Sequence, residues 1–195
     1  MRVSLITRPR RFGKTLMMST VKCFFSNQYE GRKDLFNDLY ISTVPEMMAL
    51  QGTFPVIALS FSECKNLEDS EIKISEFVQM VQKMQELMSQ MFFEFKDIFE
   101  ESGHKLSEKD QRMFTIISGN VRKEYTDAVF GNSIQLLCRL LIAHYGKQPI
   151  IILDEYDTPL QESYAHGYWQ DLVGLMRTLF NTSFKTPDYY TWTHK

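Results

Sequence analysis

The stretch that decides the fold is Leu5-Ile6-Thr7-Arg8-Pro9-Arg10-Arg11-Phe12-Gly13-Lys14-Thr15-Leu16, close to the beginning of this 195-residue chain. Residues 3–6 form a short, mostly apolar run, which predicts a buried strand that ends at Arg8 and Pro9. From Thr15 onward, apolar residues recur at helical spacing. The stretch therefore predicts a strand, a basic loop and a helix in succession.

A loop between a strand and a helix can hold anions, because its backbone N–H groups and the positive end of the helix point toward the ligand. Gly13 would let the backbone approach a phosphate, Lys14 would reach the β- and γ-phosphates, and Thr15 would place its hydroxyl on Mg²⁺. The match to the pattern G-x-x-x-x-G-K-[ST] is incomplete, because Arg8 stands at the first glycine. We predict a phosphate-binding loop, with a basic loop that only caps the helix as the alternative.

Charge is unevenly distributed along the chain. Five of its 22 basic residues, and none of its 24 acidic ones, lie among the first fourteen residues: Arg2, Arg8, Arg10, Arg11 and Lys14. The remainder has 17 basic against 24 acidic residues. This pattern favours a local anion site and does not support a nucleic-acid surface over the whole chain.

A second motif follows an apolar run near the end of the chain. Residues 150–153 are four aliphatic residues, which predict a central strand, and Asp154-Glu155 follows them directly. An Asp there can hold the hydration shell of Mg²⁺, and a Glu beside it can orient or deprotonate the attacking water. We predict Asp154 as a metal ligand with Thr15, and Glu155 as a catalytic residue with Lys14. An ordinary strand end is the alternative. Asp157 and Tyr156 are expected to cap the next helix, with a role in shaping the catalytic loop as the alternative.

The chain between the two motifs contains a second buried strand at residues 56–61 and a long helical region. From residue 69 to 101 the apolar residues alternate spacings of four and three, which predicts one or two long amphipathic helices. These residues are Phe77, Val81, Met84, Met88, Met91, Phe95 and Ile98. We expect a helical insertion at about residues 67–130 that packs on its own domain, with a dimer seam as the alternative.

Other helices have recognisable boundaries. Residues 35–40 predict a short helix, and Ser107 with Asp110 resembles a capping box that opens another. Ser133 is the expected N-cap of a helix that Gly146 ends. A last helix is predicted from its apolar face, which consists of Leu172, Leu175, Met176, Leu179 and Phe180.

The three cysteines, Cys23, Cys64 and Cys138, are odd in number, far apart and without metal-ligand spacing. We predict reduced thiols in or near the core. No apolar run approaches the roughly 20 residues that cross a bilayer, and the beginning is too short for a signal peptide. The sequence therefore predicts a cytoplasmic protein.

Three stretches carry a resemblance to a known family: residues 5–16 quoted above, Ser133-Ile134-Gln135-Leu136-Leu137, and Ile151-Ile152-Leu153-Asp154-Glu155-Tyr156-Asp157-Thr158-Pro159-Leu160. Over about residues 2–185 the chain resembles the bacterial AAA-ATPase-like family. Its members are predicted P-loop ATPases, often followed by a restriction-type nuclease-like domain. An Arg in place of the first glycine is normal in that family.

The resemblance implies an α/β fold, the three-layer parallel sheet of P-loop NTPases. It implies Lys14 and Thr15, in the Walker A motif, as ligands of ATP and Mg²⁺, and Asp154 and Glu155 as the Walker B acids. The expected cofactor-binding set is Arg10, Arg11, Phe12, Gly13, Lys14, Thr15 and Leu16.

ATPases of this broad type have the strand order five-one-four-three-two. The strand that follows the acidic pair in sequence then lies between the loop strand and the acidic strand, and residues 186–195 neither predict a strand nor resemble the family. Unpaired strand edges would be costly, because each buried unsatisfied group costs about 1–3 kcal/mol. We therefore expect residues 1–195 to be a partial P-loop domain, a fragment of a longer protein that lacks the central and later strands.

The expected function is ATP binding, with Mg²⁺-dependent hydrolysis in the intact parent that switches an unidentified protein partner. Arg10 or Arg11 would add charge at the phosphates, or would act as an arginine finger across a subunit boundary in an oligomer. One alternative is a non-catalytic module that binds a nucleotide or another polyanion, and whose Met-rich helices bind a protein. A degenerate remnant with no activity is the other alternative.

Overall fold

The structure is a computed structural model that describes residues 12–65, 75–119, 121 and 123–184. Several predicted features lie outside the described residues. These are the first strand at residues 3–6, the basic residues Arg8, Arg10 and Arg11, the start of the helical insertion, and the end of the chain from residue 185.

The described part of the chain is rich in helix, with a small parallel sheet. The α-helices are α1 Lys14–Phe25, α2 Pro45–Met48, α3 Glu76–Phe93, α4 Lys96–Ser102, α5 Glu108–Ser118, α6 Asp127–Gly131, α7 Ser133–Tyr145, α8 Thr158–Ala165 and α9 Trp169–Phe184. The strands are β1 Val56–Ser60 and β2 Ile150–Asp154, and 3₁₀ turns occur at Asn27–Tyr29, Lys33–Phe36, Tyr40–Thr43 and Gly103–Lys105. None of these helices is long and apolar enough to span a bilayer.

The two strands pair in parallel, with Val56 opposite Ile150 and Ser60 opposite Asp154. When the strand predicted at residues 3–6 is counted as the first, β1 and β2 are the second and third strands of the chain. Those two strands are neighbours in the order five-one-four-three-two. β1 is mostly buried, whereas every residue of β2 is half-buried, although its aliphatic run is typical of a strand covered on both sides. The described residues thus form a two-stranded sheet, compatible with an incomplete α/β fold. The three-layer sheet is not seen in them, because β2 pairs there with β1 alone.

The end of α1 is tied to the segment that leads into β1. The N–H of Gly52 donates to the carbonyl of Phe24 at 2.8 Å, and the N–H of Phe54 donates to that of Phe25 at 2.9 Å. The N–H of Asn27 donates back to the carbonyl of Phe54 at 2.8 Å. Since α1 also packs against both strands, its C-terminal end lies at the start of the sheet. Its N-terminal end therefore points toward the carboxyl ends of the strands.

An aromatic cluster covers this joint. The ring of Phe24, which is buried, meets those of Phe25 and Phe36 edge-on, each with centroids 5.0 Å apart, and Phe25 meets Phe54 at 5.8 Å.

The short helix predicted at residues 35–40 is wrong. Two 3₁₀ turns replace it, because the N–H of Asn37 bonds to the carbonyl of Asp34 and the N–H of Ser42 bonds to that of Leu39, each three residues back.

The amphipathic region from residue 75 to 102 is confirmed as two helices, α3 and α4. Met84, Met88 and Met91 are buried in a core that includes residues of β1, α5, α7 and α9, and α3 packs directly on β1 and α5. The apolar seam is thus occupied by the chain's own core. This agrees with a helical region packed on its own domain and removes the support for a seam open to a second copy.

Two predicted caps are confirmed and a third is displaced by one residue. Ser107 caps α5, since its Oγ accepts from the N–H of Asp110 at 3.2 Å. Gly146, with φ 64°, ends α7. The prediction for Ser133 is wrong by one residue, because α7 begins at Ser133 and Asn132 is the N-cap; the Ser133 hydroxyl instead donates to the carbonyl of Phe130 at 2.6 Å.

The three cysteines form no disulfide in the described structure. Cys64 and Cys138 are buried and Cys23 is half-buried, which confirms thiols in or near the core. Burial raises the pKa of the Cys64 thiol to about 12, so this thiol is protonated at neutral pH.

The joint between α1 and β1 predicts an unequal effect of two glycine substitutions. Gly52 and Gly31 both have positive φ, at 69° and 80°. A Cβ on Gly52 would lie 2.6 Å from the Cα of Glu30, whereas a Cβ on Gly31 meets nothing within 4 Å of it. Gly31→Ala should lower the free energy of unfolding by about 1–2 kcal/mol through backbone strain. Gly52→Ala should lower it by roughly a further 1–3 kcal/mol through overpacking.

Urea denaturation followed by circular dichroism measures both variants. Equal losses of stability would show that the close approach at Gly52 does not hold the joint together.

Candidate functional site

A cavity of about 680 Å³ opens where the N-terminal end of α1, the loop after β1 and the junction of β2 with α8 meet. It is lined by Gly13, Lys14, Thr15, Leu16, Lys65, Glu155, Asp157, Gln161 and Glu162. Its size is in the range of small-molecule sites. Residues from the basic loop and from the acidic pair, which are far apart in sequence, thus line one space.

The beginning of α1 lies at this cavity, and the backbone N–H groups at the start of its first turn have no hydrogen-bond partner among the described residues. Gly13 is the N-cap and has left-handed geometry, with φ 71° and ψ 27°, and its carbonyl accepts the N–H of Met17 at 2.9 Å. The earlier N–H groups of the first turn have no partner within a helix. No side chain of the described residues caps this end, and its first turn carries no acid. The positive end of α1 is therefore available to an anion.

The predicted cofactor-binding set is brought only partly to the cavity. Gly13, Lys14, Thr15 and Leu16 line it, whereas Phe12 is 65% exposed and is not one of the lining residues. Arg10 and Arg11 lie outside the described residues.

Glu155 marks a sharp change of direction after β2. Its φ of 52° makes it the one non-glycine residue with positive φ in the described part of the chain. Such a conformation costs on the order of 1–3 kcal/mol and is frequent at functional sites. The N–H of Glu155 donates to Oδ1 of Asp154 at 3.0 Å, and its carbonyl accepts the N–H of Thr158 at 3.0 Å. The turn leads the chain from β2 into α8 and places the Glu155 side chain at the cavity.

Two side chains hold the carboxylate of Glu155. Its Oε2 accepts a hydrogen bond from the hydroxyl of Thr158 at 2.9 Å and one from Nζ of Lys65 at 3.3 Å. The Thr158 hydrogen bond, followed by the bond and charge of Lys65 and the charge of Lys14, holds the pKa of Glu155 below its usual range, while burial opposes the shift. Glu155 is therefore ionised at neutral pH, and Lys14 is close enough to act on it.

The two residues predicted as metal ligands differ in their placement. Thr15 lines the cavity, whereas Asp154, the last residue of β2, is not among the lining residues and uses Oδ1 to accept the N–H of Glu155. Across the described residues there is no cluster of three or more His, Cys, Asp or Glu side chains that could hold a metal. The side chains at the cavity therefore suit a metal ion that arrives bound to an anion better than a metal ion that protein side chains hold alone. Joint coordination by Thr15 and Asp154 stays a prediction.

The charges around the cavity agree with such an anion. Its described lining contains two cations, Lys14 and Lys65, and three carboxylates, Glu155, Asp157 and Glu162. A bare polyanion would be repelled by the carboxylates, whereas an anion that carries a divalent cation would meet both signs of charge.

Sequence reasoning missed Lys65, Thr158, Gln161 and Glu162 as residues of the site. Lys65 had one detectable signal: it follows a predicted strand, and the carboxyl ends of parallel strands meet at one edge.

Asp157 occupies the N-cap position of α8, but its side chain does not cap that helix. Its Oδ2 accepts from Nε2 of Gln161 at 2.6 Å, so the predicted capping bond is wrong.

Comparison with known proteins adds a family. A family model described as "Predicted AAA-ATPase" matches residues 1–191. The match extends past residue 185, so the expectation that the chain's end does not resemble the family is wrong for residues 186–191. No curated protein and no solved structure gives a significant match. Because the family match covers nearly the whole chain, the chain belongs to the AAA-ATPase-like family, a family of predicted ATPases.

Proposed function

We propose that this chain binds ATP together with Mg²⁺ in the cavity between α1 and the β2–α8 junction, and that the site hydrolyses the bound ATP. One observation carries the proposal: Lys14 and Glu155 line the same cavity at the N-terminal end of a helix. Family membership supports nucleotide binding independently of this geometry.

Binding relies on the beginning of α1. The N–H groups at the start of its first turn, which bond to no described residue, and the left-handed backbone at Gly13 suit a phosphate chain. Lys14 neutralises the β- and γ-phosphates, and Arg10 and Arg11, which precede Gly13 in sequence, add positive charge. Thr15 and Asp154 are the proposed ligands of the Mg²⁺, which when bound neutralises charge on the phosphate oxygens.

Hydrolysis relies on Glu155. Its carboxylate is ionised and held by Thr158 and Lys65, so it can accept a proton from a water molecule at neutral pH. The water oxygen bonds to the γ-phosphorus, the bond from that phosphorus to the bridging oxygen breaks, and ADP keeps the electron pair. The proton of the water passes to Glu155, and inorganic phosphate leaves.

A non-catalytic nucleotide-binding module is the competing function. It would use the same phosphate contacts but would not need the carboxylate of Glu155. The Met-rich helices do not favour it, because Met84, Met88 and Met91 are buried in the chain's own core.

Lys14→Ala should weaken the binding of Mg-ATP by about tenfold or more, because it removes a charge-assisted contact to phosphate. Isothermal titration calorimetry measures the dissociation constant. Lys22→Ala is the matched control, since it removes a lysine from the last turn of the same helix. Equal affinities of Lys14→Ala and the unmodified chain would contradict the proposed binding site.

Glu155→Gln should reduce ATP turnover by about 10²–10⁴-fold with little change in ATP affinity, because the amide cannot accept the proton. Phosphate release under saturating Mg-ATP measures this. Glu162→Gln removes another carboxylate from the cavity lining and should keep most of the turnover. Full turnover in Glu155→Gln, or an equal loss in both variants, would exclude Glu155 as the base.

A further inference from the structure

Lys65 reaches Glu155 from a distant part of the chain. It lies in the loop after β1, 90 residues before Glu155 in sequence, and its Nζ is 3.3 Å from the Oε2 of Glu155. The Lys65 side chain is 47% exposed and that of Glu155 is 33% exposed. Both line the cavity. The contact therefore joins the ends of two strands across the site.

An ion pair with this exposure contributes little to stability, typically about 0–1 kcal/mol. The ion pair matters for the position of the Glu155 carboxylate, because other contacts already restrain the rest of this residue. The backbone has φ 52°, the N–H is bonded to Asp154, and Oε2 already accepts the hydroxyl of Thr158. Thr158 is itself buried, so this hydroxyl is a fixed donor. Lys65 is the second donor to the same oxygen atom.

Two donors on Oε2 leave the other carboxylate oxygen of Glu155, Oε1, without a hydrogen bond to the described residues. The two oxygens are therefore inequivalent before any ligand enters. A base acts through the oxygen whose lone pairs are open to the water, because a hydrogen-bonded oxygen must first lose its donors.

We propose that Lys65 is a positioning residue for the proposed hydrolysis: with Thr158 it holds Oε2 of Glu155, so that Oε1 is the atom that takes the proton from water. This inference rests on the proposed function of the cavity. Lys65 acts through Glu155 and neither donates nor accepts the transferred proton.

The kinetic test compares Lys65→Met, which keeps an unbranched apolar side chain, with Lys65→Arg, which keeps the charge. Lys65→Met should lower kcat about tenfold and leave the dissociation constant of Mg-ATP within about twofold. Lys65→Arg should restore most of kcat. The matched control is Lys83→Met, which removes a lysine that pairs with Glu63 at 2.7 Å and should change none of these quantities.

Two kinetic outcomes would overturn the proposal. Unchanged kcat in Lys65→Met would show that Glu155 does not depend on Lys65. A weaker dissociation constant with unchanged kcat would show that Lys65 is a phosphate ligand instead.

A second variant tests the other donor to the same oxygen. Thr158→Val removes the hydroxyl that donates to Oε2 of Glu155, and it should also lower kcat with little change in the dissociation constant of Mg-ATP. Unchanged kcat in Thr158→Val would overturn the inference. Failure of the unmodified chain to bind Mg-ATP would instead overturn the proposed function.

Discussion

The site depends on the joint between the end of α1 and the segment that leads into β1. Three backbone hydrogen bonds connect Phe24, Phe25 and Asn27 to residues 52–54, and Gly52 allows the chain at Glu30 to approach within a distance that no Cβ would permit. Because this joint lies at the start of the sheet, a twelve-residue helix that packs against both strands must bring its N-terminal end to their carboxyl ends. The position of Lys14 therefore follows from contacts at the opposite end of its helix.

The acidic side of the site is positioned by a different constraint. Parallel pairing of β1 and β2 places Ser60 opposite Asp154, so the residues after both strands emerge at one edge. The left-handed backbone of Glu155 then turns its side chain to the cavity, where Thr158 and Lys65 bind it. Backbone strain at Glu155 is compensated by these contacts, an arrangement that is typical of residues held for a function.

Sequence patterns predicted the elements whose cause is local. The helical spacing after Thr15, the apolar run at residues 150–153 and the seam of α3 and α4 each identify an element of the structure. Patterns were less reliable where a boundary depends on one bond, as at Ser133, or where a 3₁₀ turn replaces a helix after Lys33. Lys65 was missed because its partner is 90 residues away; its place after a predicted strand indicates the edge of the sheet at which it lies but not the contact with Glu155. The roles of Lys14, Thr15, Asp154 and Glu155 remain proposals supported by placement and family.

The central claim is that the beginning of α1 and the turn after β2 form one nucleotide site. Nitrogen-15 NMR titration with Mg²⁺ and a non-hydrolysable ATP analogue tests it most directly, because both segments report in the same experiment. We predict that the amide signals of residues 13–16 and of residues 155–158 shift along saturation curves with one dissociation constant. A response of residues 13–16 alone, or two unrelated dissociation constants, would contradict the account.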